Sequence, residues 1–533
     1  MLINKLKHSY KAKIYILLVS TISFFANYYF GKIGLNPIDS LAFFDSSFMI
    51  LQGKLPIRDF WAFSGIFIDF FQSFFFKIFG VSWRAYLIHA SFINFIVTLS
   101  FFFYLSEKKI DLNLALIVSL SFSFLFYPVS GTPFSYQHSL AFSYLSVLFL
   151  LIGFEKKSRI FFFFIPFFFL FGFFSNQVPS AYISIIVVLF LIINYVIFKR
   201  TIFLLPFVLG TILSFLVVIF FLYLINFDFI NFFTQSIIFP LTIAKGRIEG
   251  SEYAYFKLYE KLSFKDLVLD FKFIHFFLVF IIFVLFLNNK KKILPKINSY
   301  EVSVLFLLLL ISFFFIYHQL LTANQIFIFS IIPFLAGITL AIIKEKKFLL
   351  KNFLLFFFWF FFLVSTSKYF FRYNIERYFL DLQKHNVNIA IDANEIDNSL
   401  SGLKWLTMIY PKNPGKEISF IKEALELIRE DQRSLMVITH YSFFSSLTSR
   451  DIFIPNRWYF GISTYPTKNH KNFNYYKNFL EKKFIERKIQ AIYIIDKAGK
   501  DMFSFTDFLD SACFNEKRIN ELVLVFEFKN CNS

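Results

Sequence analysis

Residues 112–154, LNLALIVSLSFSFLFYPVSGTPFSYQHSLAFSYLSVLFLLIGF, decide the fold, because this stretch contains no Asp, Glu, Lys or Arg. A bilayer core is crossed by about 20 consecutive apolar residues in a helix. The stretch is about twice that length. It therefore predicts a helical hairpin that crosses a membrane twice, with a short turn near residues 127–138.

The same pattern recurs along most of the chain, which is 57% hydrophobic with a mean hydropathy of +0.62. Soluble domains are rarely that apolar. Further uncharged stretches are 14–31, 85–106, 160–198, 201–227, 302–343 and 352–367. We therefore expect a polytopic α-helical membrane protein with about 11 spans, at 14–31, 85–104, 113–129, 138–154, 160–176, 180–198, 202–225, 273–289, 302–320, 324–343 and 352–367.

The formal net charge of +19 is distributed unevenly between the two sides of this predicted topology. With a cytoplasmic N-terminus, the inner segments hold 19 Lys and Arg in 45 residues; they are 1–13, 105–112, 155–159, 199–200, 290–298 and 344–351. Inner loops of membrane proteins carry such an excess. The charge therefore indicates loop anchoring rather than nucleic-acid binding. It predicts a plasma (inner) membrane protein with an extracytoplasmic C-terminus.

The predicted topology divides the chain into two regions. Residues 1–367 form the transmembrane domain, with long outer loops at 32–84 and 226–272. Residues 368–533 are richer in charge and alternate short apolar runs with amphipathic segments, which predicts an extracytoplasmic α/β domain. Its candidate helices are 417–430 and 475–487, and its candidate strands are 387–391, 434–438, 490–495 and 522–528. Cys513 and Cys531 are expected to form a bridge or to remain two thiols.

The first outer loop contains two segments with helical character. We expect helices at 39–52 and 64–78, both lying in the membrane interface. Asp69 is the one carboxylate of the second segment, and we expect it at a solvated edge. Trp61 and Trp83 are expected in the aromatic belt at the membrane surface.

Outer-loop carboxylates are the candidate catalytic groups. The chain has no GxGxxG, P-loop, HExxH or CxxC motif, which argues against an NTP-driven pump and a soluble-type metalloenzyme. Asp39 is either a helix N-cap or a general base whose pKa is raised by partial burial. Asp45 lies near the same segment and is a second catalytic candidate. Asp59 is expected to bind substrate or to pair with the preceding Arg58.

Outer-loop cations are the candidate phosphate ligands. Arg58, Arg84, Lys245 and Arg247 all lie in the two long outer loops. Each is either a snorkelling interface residue or a ligand for a lipid-linked phosphate. His138, at the turn of the opening hairpin, either lines a polar cavity with Tyr136 or belongs to a plain interfacial turn.

The first loop resembles membrane glycosyltransferases of the GT-C fold, the relatives of dolichyl-phosphate-mannose protein mannosyltransferases and of the bacterial aminoarabinose transferase. The resemblance is carried by Asp39-Ser40-Leu41-Ala42-Phe43-Phe44-Asp45, by Gly53 and by Pro56 with Arg58-Asp59-Phe60-Trp61. A second similar segment is Gly172-Phe173-Phe174-Ser175-Asn176-Gln177, with Asn176 where the family often has Lys. The matching outline covers roughly residues 1–367, as a GT-C-like transmembrane domain.

The resemblance implies transfer of a sugar from a polyprenyl-phosphate carrier to a glycan, lipid or protein acceptor on the outer face. Asp39 takes the position of the catalytic carboxylate, and a single displacement would invert the anomeric carbon. Ser40 stands where a second acid is frequent, and the turn at 127–138 lacks the acid of metal-dependent members. We therefore expect that no cofactor is required, with a divalent metal as the alternative.

Two other functions remain open from the sequence. A transporter or flippase of lipid-linked sugars is expected to show repeated halves and interrupted helices, and no such symmetry is evident. A membrane-anchored assembly protein would act through its C-terminal domain, but about 11 spans exceed what an anchor needs. The expected partners are the polyprenyl-phosphate sugar, its acceptor and membrane lipid, but not nucleic acid.

Overall fold

The computed structural model of the protein describes residues 10–127, 130–251, 257–287, 299–322, 328–344, 351–509 and 513–529. Within these ranges the first part of the chain is almost entirely helical. Its helices are α1 (Tyr10–Phe30), α2 (Pro37–Ser40), α3 (Phe44–Leu51), α4 (Ile66–Phe79), α5 (Trp83–Glu107), α6 (Leu112–Leu125), α7 (Ser135–Lys156), α8 (Arg159–Ser175), α9 (Gln177–Val196), α10 (Leu204–Leu224), α11 (Phe229–Phe233), α12 (Phe239–Glu249), α13 (Lys272–Leu287), α14 (Ser299–Leu321), α15 (Ile331–Lys344) and α16 (Lys351–Phe370).

Seven of these helices are long and apolar enough to cross a membrane, namely α1, α5, α7, α9, α10, α14 and α16. Four shorter apolar helices, α6, α8, α13 and α15, occupy the other predicted spans. The prediction of a polytopic helical protein is thus confirmed in outline. Crossing by the four shorter helices, and hence the count of about 11, stays a prediction, as does the sidedness.

Helix α7 forms the centre of the bundle, and 94% of its most apolar 18-residue stretch is buried. It packs against α5, α8 and α9. Small side chains permit this close packing. A Cβ added at Gly153 would meet the ring of Phe162 at 2.9 Å. The most exposed candidate span is α10, of which only 17% is buried. Its exposed side chains are large and apolar, as expected for a surface that faces lipid.

The loop at residues 32–84 differs from its prediction in two ways. The expected helix at 39–52 is two helices, α2 and α3, separated by a turn at residues 41–43. Trp61 and Trp83 are 1% and 0% exposed, so the prediction that they lie in an interfacial belt is wrong. Both lie in hydrophobic cores that include side chains of the C-terminal region, residues 368–533. The expected second helix is confirmed as α4.

The C-terminal region contains a four-stranded sheet in the order β3-β4-β6-β5, with β3 (Leu435–Thr439) parallel to β4 (Ala491–Ile495). The strands β6 (Val523–Phe528) and β5 (Phe514–Arg518) complete it in antiparallel pairing. A separate short pair joins β1 (Ile391–Asp392) to β2 (Lys404–Trp405). The helices are α17 (Pro414–Glu430), α18 (Phe444–Thr448) and α19 (Phe473–Glu486).

The sequence predicted β3, β4, β6, α17 and α19 closely, since the strands are short continuous apolar runs and the helices are amphipathic. It missed β5, four of whose five residues are exposed and polar. The expected strand at 387–391 is mostly a 3₁₀ turn at Val387–Ile389. Cys531 lies outside the described residues.

The first outer loop and the C-terminal region are joined by backbone pairing as well as side chains. The amides of Gly34 and Leu35 donate to the carbonyls of Lys404 and Leu406, both at 3.0 Å. Asp69 forms a buried ion pair with Arg457. The expectation that Asp69 lies at a solvated edge is therefore wrong, because its partner comes from a segment far away in the chain.

Candidate functional site

Asp39 lies in the single turn of α2, directly after the backbone pairing with residues 404–406. Asn36 is the N-cap and Pro37 opens the helix, so Asp39 is not the N-cap that one interpretation of the sequence required. The indole nitrogen of Trp458 donates to the carbonyl of Ile38 at 2.9 Å. Contacts on both sides of α2 therefore come from the C-terminal region and fix the position of Asp39.

Asp39 faces a cavity of about 480 Å³ between the apolar helices, the loops at residues 32–84 and 226–272, and the C-terminal region. That volume is within the usual range for a pocket that binds a small molecule. Polar side chains and aromatic rings converge in its walls. They are Asn36, Asp39, Ser64, Ser135, Tyr136, Asn176, Gln177, Tyr182, Arg247, His318, Thr322, Asp381, Trp458, Phe460, Ser463 and Thr464.

Burial raises the pKa of Asp39 to about 7. The charge of His440 opposes this shift, and the charge of Asp381 adds to it. A carboxyl group with a pKa near neutrality is ionised in part of the molecules at physiological pH and can exchange a proton there. Asp39 therefore has the protonation behaviour of a general base or acid.

Arg247 is the cation that lines the same cavity. It extends from α12, and its guanidinium donates to the carbonyl of Leu321 and to the hydroxyl of Ser463, both at 3.2 Å. Burial lowers the pKa of Arg247 to about 10, so the group stays charged near neutral pH. The helix that carries it begins at Phe239, whose ring packs edge-on against Trp61 at 5.4 Å.

The side of the cavity formed by the apolar helices consists of aromatic and amide side chains. The ring of Tyr136 stacks on His318 at 5.1 Å between centroids, and the amide of Gln319 donates to the Tyr136 hydroxyl at 3.2 Å. Gln177 donates to the carbonyls of Phe63 and Ser236 at 2.7 and 2.8 Å. These bonds tie α9 to both outer loops, so the wall is held from several elements.

Of the predicted site residues, the structure brings Asp39 and Arg247 together in this cavity. Asp45 is buried elsewhere and accepts hydrogen bonds from the amides of Ser445 and Ser446 at 2.9 and 2.8 Å. These amides lie in the first turn of α18. The structure therefore gives Asp45 the role of docking the C-terminal region rather than a place in the cavity.

Four other predicted ligands lie outside the cavity walls. Arg58 pairs with Asp59 at 2.6 Å, and Lys483 approaches the same carboxylate at 3.6 Å. Lys245 is exposed and pairs with Glu249 at 3.6 Å. Arg84 is also exposed, on the first turn of α5. The structure therefore does not support their assignment to the substrate phosphate.

His138 is buried inside the helical bundle. Its Nε2 is 2.7 Å from Nε2 of His89, and its Nδ1 is 2.7 Å from the hydroxyl of Tyr127. His89 in turn contacts Gln72 at 2.8 Å. These hydrogen bonds give His138 partners among protein groups, and His138 is not one of the residues that line the cavity. Of the two residues expected to line a polar cavity, the structure places Tyr136 there.

Sequence reasoning missed several cavity residues. Asp381 follows the last membrane helix and adopts a left-handed conformation with φ 57°. His318 is the one histidine in a long uncharged run, which was a signal for a polar lining. Trp458 and Ser463 belong to the C-terminal region, and no local pattern marks them.

Compared with protein-family models and with curated proteins, the chain shows no match. Its function is therefore argued from the cavity. The arrangement places the carboxyl of Asp39, whose pKa is raised by burial, and the buried cation Arg247 beside an aromatic lining and apolar helices.

Proposed function

We propose that the protein is a glycosyltransferase that moves a sugar from a polyprenyl-phosphate carrier to an acceptor at the outer face of the membrane. The single observation that carries this proposal is that Asp39 and Arg247 line one cavity at the junction of membrane helices and C-terminal region. The apolar helices would hold the lipid of the donor, while its head group reaches this cavity.

Asp39 is the general base. It accepts the proton of an acceptor hydroxyl or amine as that group attacks the anomeric carbon. The bond from this carbon to the phosphate oxygen breaks, and the polyprenyl phosphate leaves with the electron pair. A single displacement of this kind inverts the configuration at the anomeric carbon.

Arg247 balances the charge that develops on the leaving phosphate. Guanidinium groups suit this role because they hold a fixed charge and donate several hydrogen bonds in one plane. The bonds of Arg247 to Leu321 and Ser463 orient its side chain before substrate enters. Such preorganised groups favour the transition state without reorganising during the reaction.

The C-terminal region supplies Met408, Trp458 and Phe460 to the cavity wall. Aromatic and apolar side chains that line a pocket beside a few polar groups are typical of small-molecule sites. We assign the acceptor to this side of the cavity, opposite the membrane helices.

The test is transfer from a panel of polyprenyl-phosphate sugars by purified protein, comparing wild type with Asp39→Asn and Arg247→Met. Loss of a general base is expected to lower turnover by about 10² to 10⁴-fold. The controls are Asp59→Asn and Lys245→Met, which alter the same residue types outside the cavity and should keep wild-type turnover. Full turnover of Asp39→Asn would refute the base assignment, and movement of the donor across vesicles without transfer would favour a flippase.

A further inference from the structure

Asp381 is a second carboxylate in the wall of the cavity that contains Asp39. It is exposed, and in the described part of the chain no hydrogen bond or ion pair engages its carboxylate. The other carboxylates discussed above, at Asp45, Asp59 and Asp69, are all engaged by protein groups. Asp381 is therefore available to a molecule that enters the cavity.

The segment that follows α16 holds Asp381 in place from two sides. The next residue, Leu382, packs on Gly34 just before α2, since a Cβ added at Gly34 would meet the Leu382 side chain at 2.5 Å. On the other side, the ring of Phe379 packs edge-on against Phe134 at 5.4 Å between centroids. Phe134 is itself a wall residue of the cavity. These contacts fix the backbone that carries Asp381.

Three chain segments meet at Gly34 and form one end of the cavity. Besides Leu382, the Cβ position of Gly34 lies 3.4 Å from the carbonyl oxygen of Leu406. Two residues further on, Met408 lines the cavity and is 48% exposed. Asp39 follows Gly34 by five residues. Asp39, Asp381 and Met408 therefore lie at the same end of the cavity.

A turn of the C-terminal region connects this wall to Arg247. Ser463 accepts from Arg247, as described above, and Phe460 lines the cavity with 37% of its surface exposed. The amide of Phe460 donates to the hydroxyl of Thr464 at 2.9 Å. The carbonyl of Thr464 accepts from the indole nitrogen of Trp61 at 3.0 Å. The turn is thus anchored, and it presents an accessible aromatic ring beside the group that orients Arg247.

A free carboxylate and an accessible aromatic ring match the two kinds of surface that a sugar presents. The hydroxyls of a sugar donate hydrogen bonds, and an ionised carboxylate only accepts them. The C–H groups of a pyranose ring form an apolar face that can pack on an aromatic ring. A fatty alcohol, or a serine or threonine of a peptide, offers a single hydroxyl. A sugar has hydroxyls on adjacent carbons, so it can engage both Asp39 and Asp381.

We propose that the acceptor is a sugar unit of a glycan, whose hydroxyls donate to Asp381 and whose ring packs on Phe460 while one hydroxyl faces Asp39. The inference rests on the proposed function of the cavity. Asp381 holds the acceptor and determines which acceptor is used, but it takes no part in proton transfer.

The transfer step balances as follows. The oxygen of the acceptor hydroxyl bonds to the anomeric carbon, and its proton passes to Asp39. The bond from the anomeric carbon to the phosphate oxygen breaks, and the polyprenyl phosphate leaves with the electron pair. Asp39 releases the proton to water before the next turnover.

The first experiment measures sugar binding and needs no donor. The full-length protein in lipid nanodiscs, free of sugar detergents, is titrated with methyl hexopyranosides and disaccharides that differ in hydroxyl configuration. Tryptophan fluorescence reports binding, because Trp458 lines the cavity. We expect at least one of these sugars to bind wild type and Asp381→Asn to weaken its binding about tenfold, since a hydrogen bond to a charged group is lost. If none binds wild type, or if Asp381→Asn binds equally well, the inference is overturned.

Matched variants separate this role from a structural one. Asn adopts the left-handed backbone of Asp381, φ 57°, as readily as Asp does, so Asp381→Asn should keep the fold. Its control is Asp392→Asn, because Asp392 pairs with Lys404 outside the cavity. Phe460→Ala is an independent variant and should weaken binding about fivefold. Its control is Phe528→Ala at the end of β6, where Phe528 is 41% exposed. Both controls should bind as wild type does, and wild-type binding by Phe460→Ala would refute the contact with the ring.

The second experiment offers three acceptors to the protein together with the panel of polyprenyl-phosphate sugars. They are the methyl glycoside that binds best, an alkyl alcohol and a peptide that contains serine and threonine. We expect product on the glycoside, and in Asp381→Asn a KM for it that is about tenfold higher with little change in kcat. Transfer to the alcohol or the peptide alone would overturn the inference while the proposed function stands. Sugar binding that depends on Asp381, without any transfer, would instead refute the proposed function and leave the sugar site.

Discussion

Breaking the ion pair between Arg457 and Asp69 should weaken the junction between the C-terminal region and the loop at residues 32–84. Their side chains are 1% and 0% exposed. The guanidinium also donates to the carbonyl of Ser64, and the second oxygen of Asp69 accepts from Ser46 at 2.6 Å. The ring of Phe43 lies under the guanidinium, 4.7 Å from its carbon. Water therefore has little access to either charge.

The loss of one partner leaves the other charge buried without compensation. Such a loss typically costs about 3–5 kcal/mol, whereas removal of both charges costs much less. Asp69→Asn and Arg457→Met keep most of the side-chain volume, and Asn keeps an acceptor for Ser46. We expect each single variant to lose about 3–5 kcal/mol and the double variant to lose less than the sum of the two.

Thermal unfolding of the purified full-length protein measures these losses. Trp61, Trp83, Trp405 and Trp458 are all buried at or near the junction, so tryptophan fluorescence reports on it. For a domain of about 150–250 residues, 1 kcal/mol shifts Tm by roughly 2–4 °C. Each single variant should therefore melt about 10 °C below wild type.

The matched control is the more exposed pair of Arg429 and Asp397, whose side chains are 42% and 26% exposed. A double-mutant cycle on this pair should give a coupling of about 1 kcal/mol or less. If the losses at Asp69 and Arg457 simply add, the two charges are independent. The account of a buried pair that docks the two regions would then be refuted.

Two further predictions concern buried carboxyl groups. Burial raises the pKa of Asp45 to about 6. The protonated carboxyl therefore contributes stability at low pH, and this contribution is lost as the pH rises through about 6. Thermal unfolding should show that Asp45→Asn destabilises the protein more at pH 5 than at pH 7.5. Glu417 accepts hydrogen bonds from Trp405, from Thr407 and from Tyr441. In Glu417→Gln one acceptor oxygen is replaced by an amide donor that faces these donors. The free energy of unfolding should fall by about 1–3 kcal/mol, and the near-ultraviolet circular dichroism of Trp405 should change. If both the Tm and the spectrum stay as in wild type, this prediction is wrong.

The helical framework was predictable because its signal is local. Runs without charge mark the bundle helices, and short continuous apolar runs mark β3, β4 and β6. The break between α2 and α3 was not predictable in this way. Its cause is the docking of residues 34–45 on the C-terminal region, through Lys404, Leu406 and Ser442, and these partners are remote in sequence.

The candidate site was predictable only in part, for a related reason. Asp39 was singled out because an acid opens a loop segment after the first predicted span. The structure places Asp39 in the cavity wall. Asp45, Asp59 and Asp69 share that loop, yet each is engaged by a protein group, respectively α18, Arg58 and Arg457. Which acid stays available for chemistry depends on which ones find partners in the fold.

The same rule explains why the C-terminal region belongs to the site. It satisfies two of the loop's carboxylates, at Asp45 and Asp69, with its own donors. At Asp39 it instead places Trp458, whose indole nitrogen donates to the neighbouring carbonyl of Ile38, and the carboxyl of Asp39 faces the cavity with its pKa raised by burial to about 7. A loop that folded without this region would lose the burial on which that pKa depends. Residues 368–533 therefore form part of the cavity wall and are not a separate appended module.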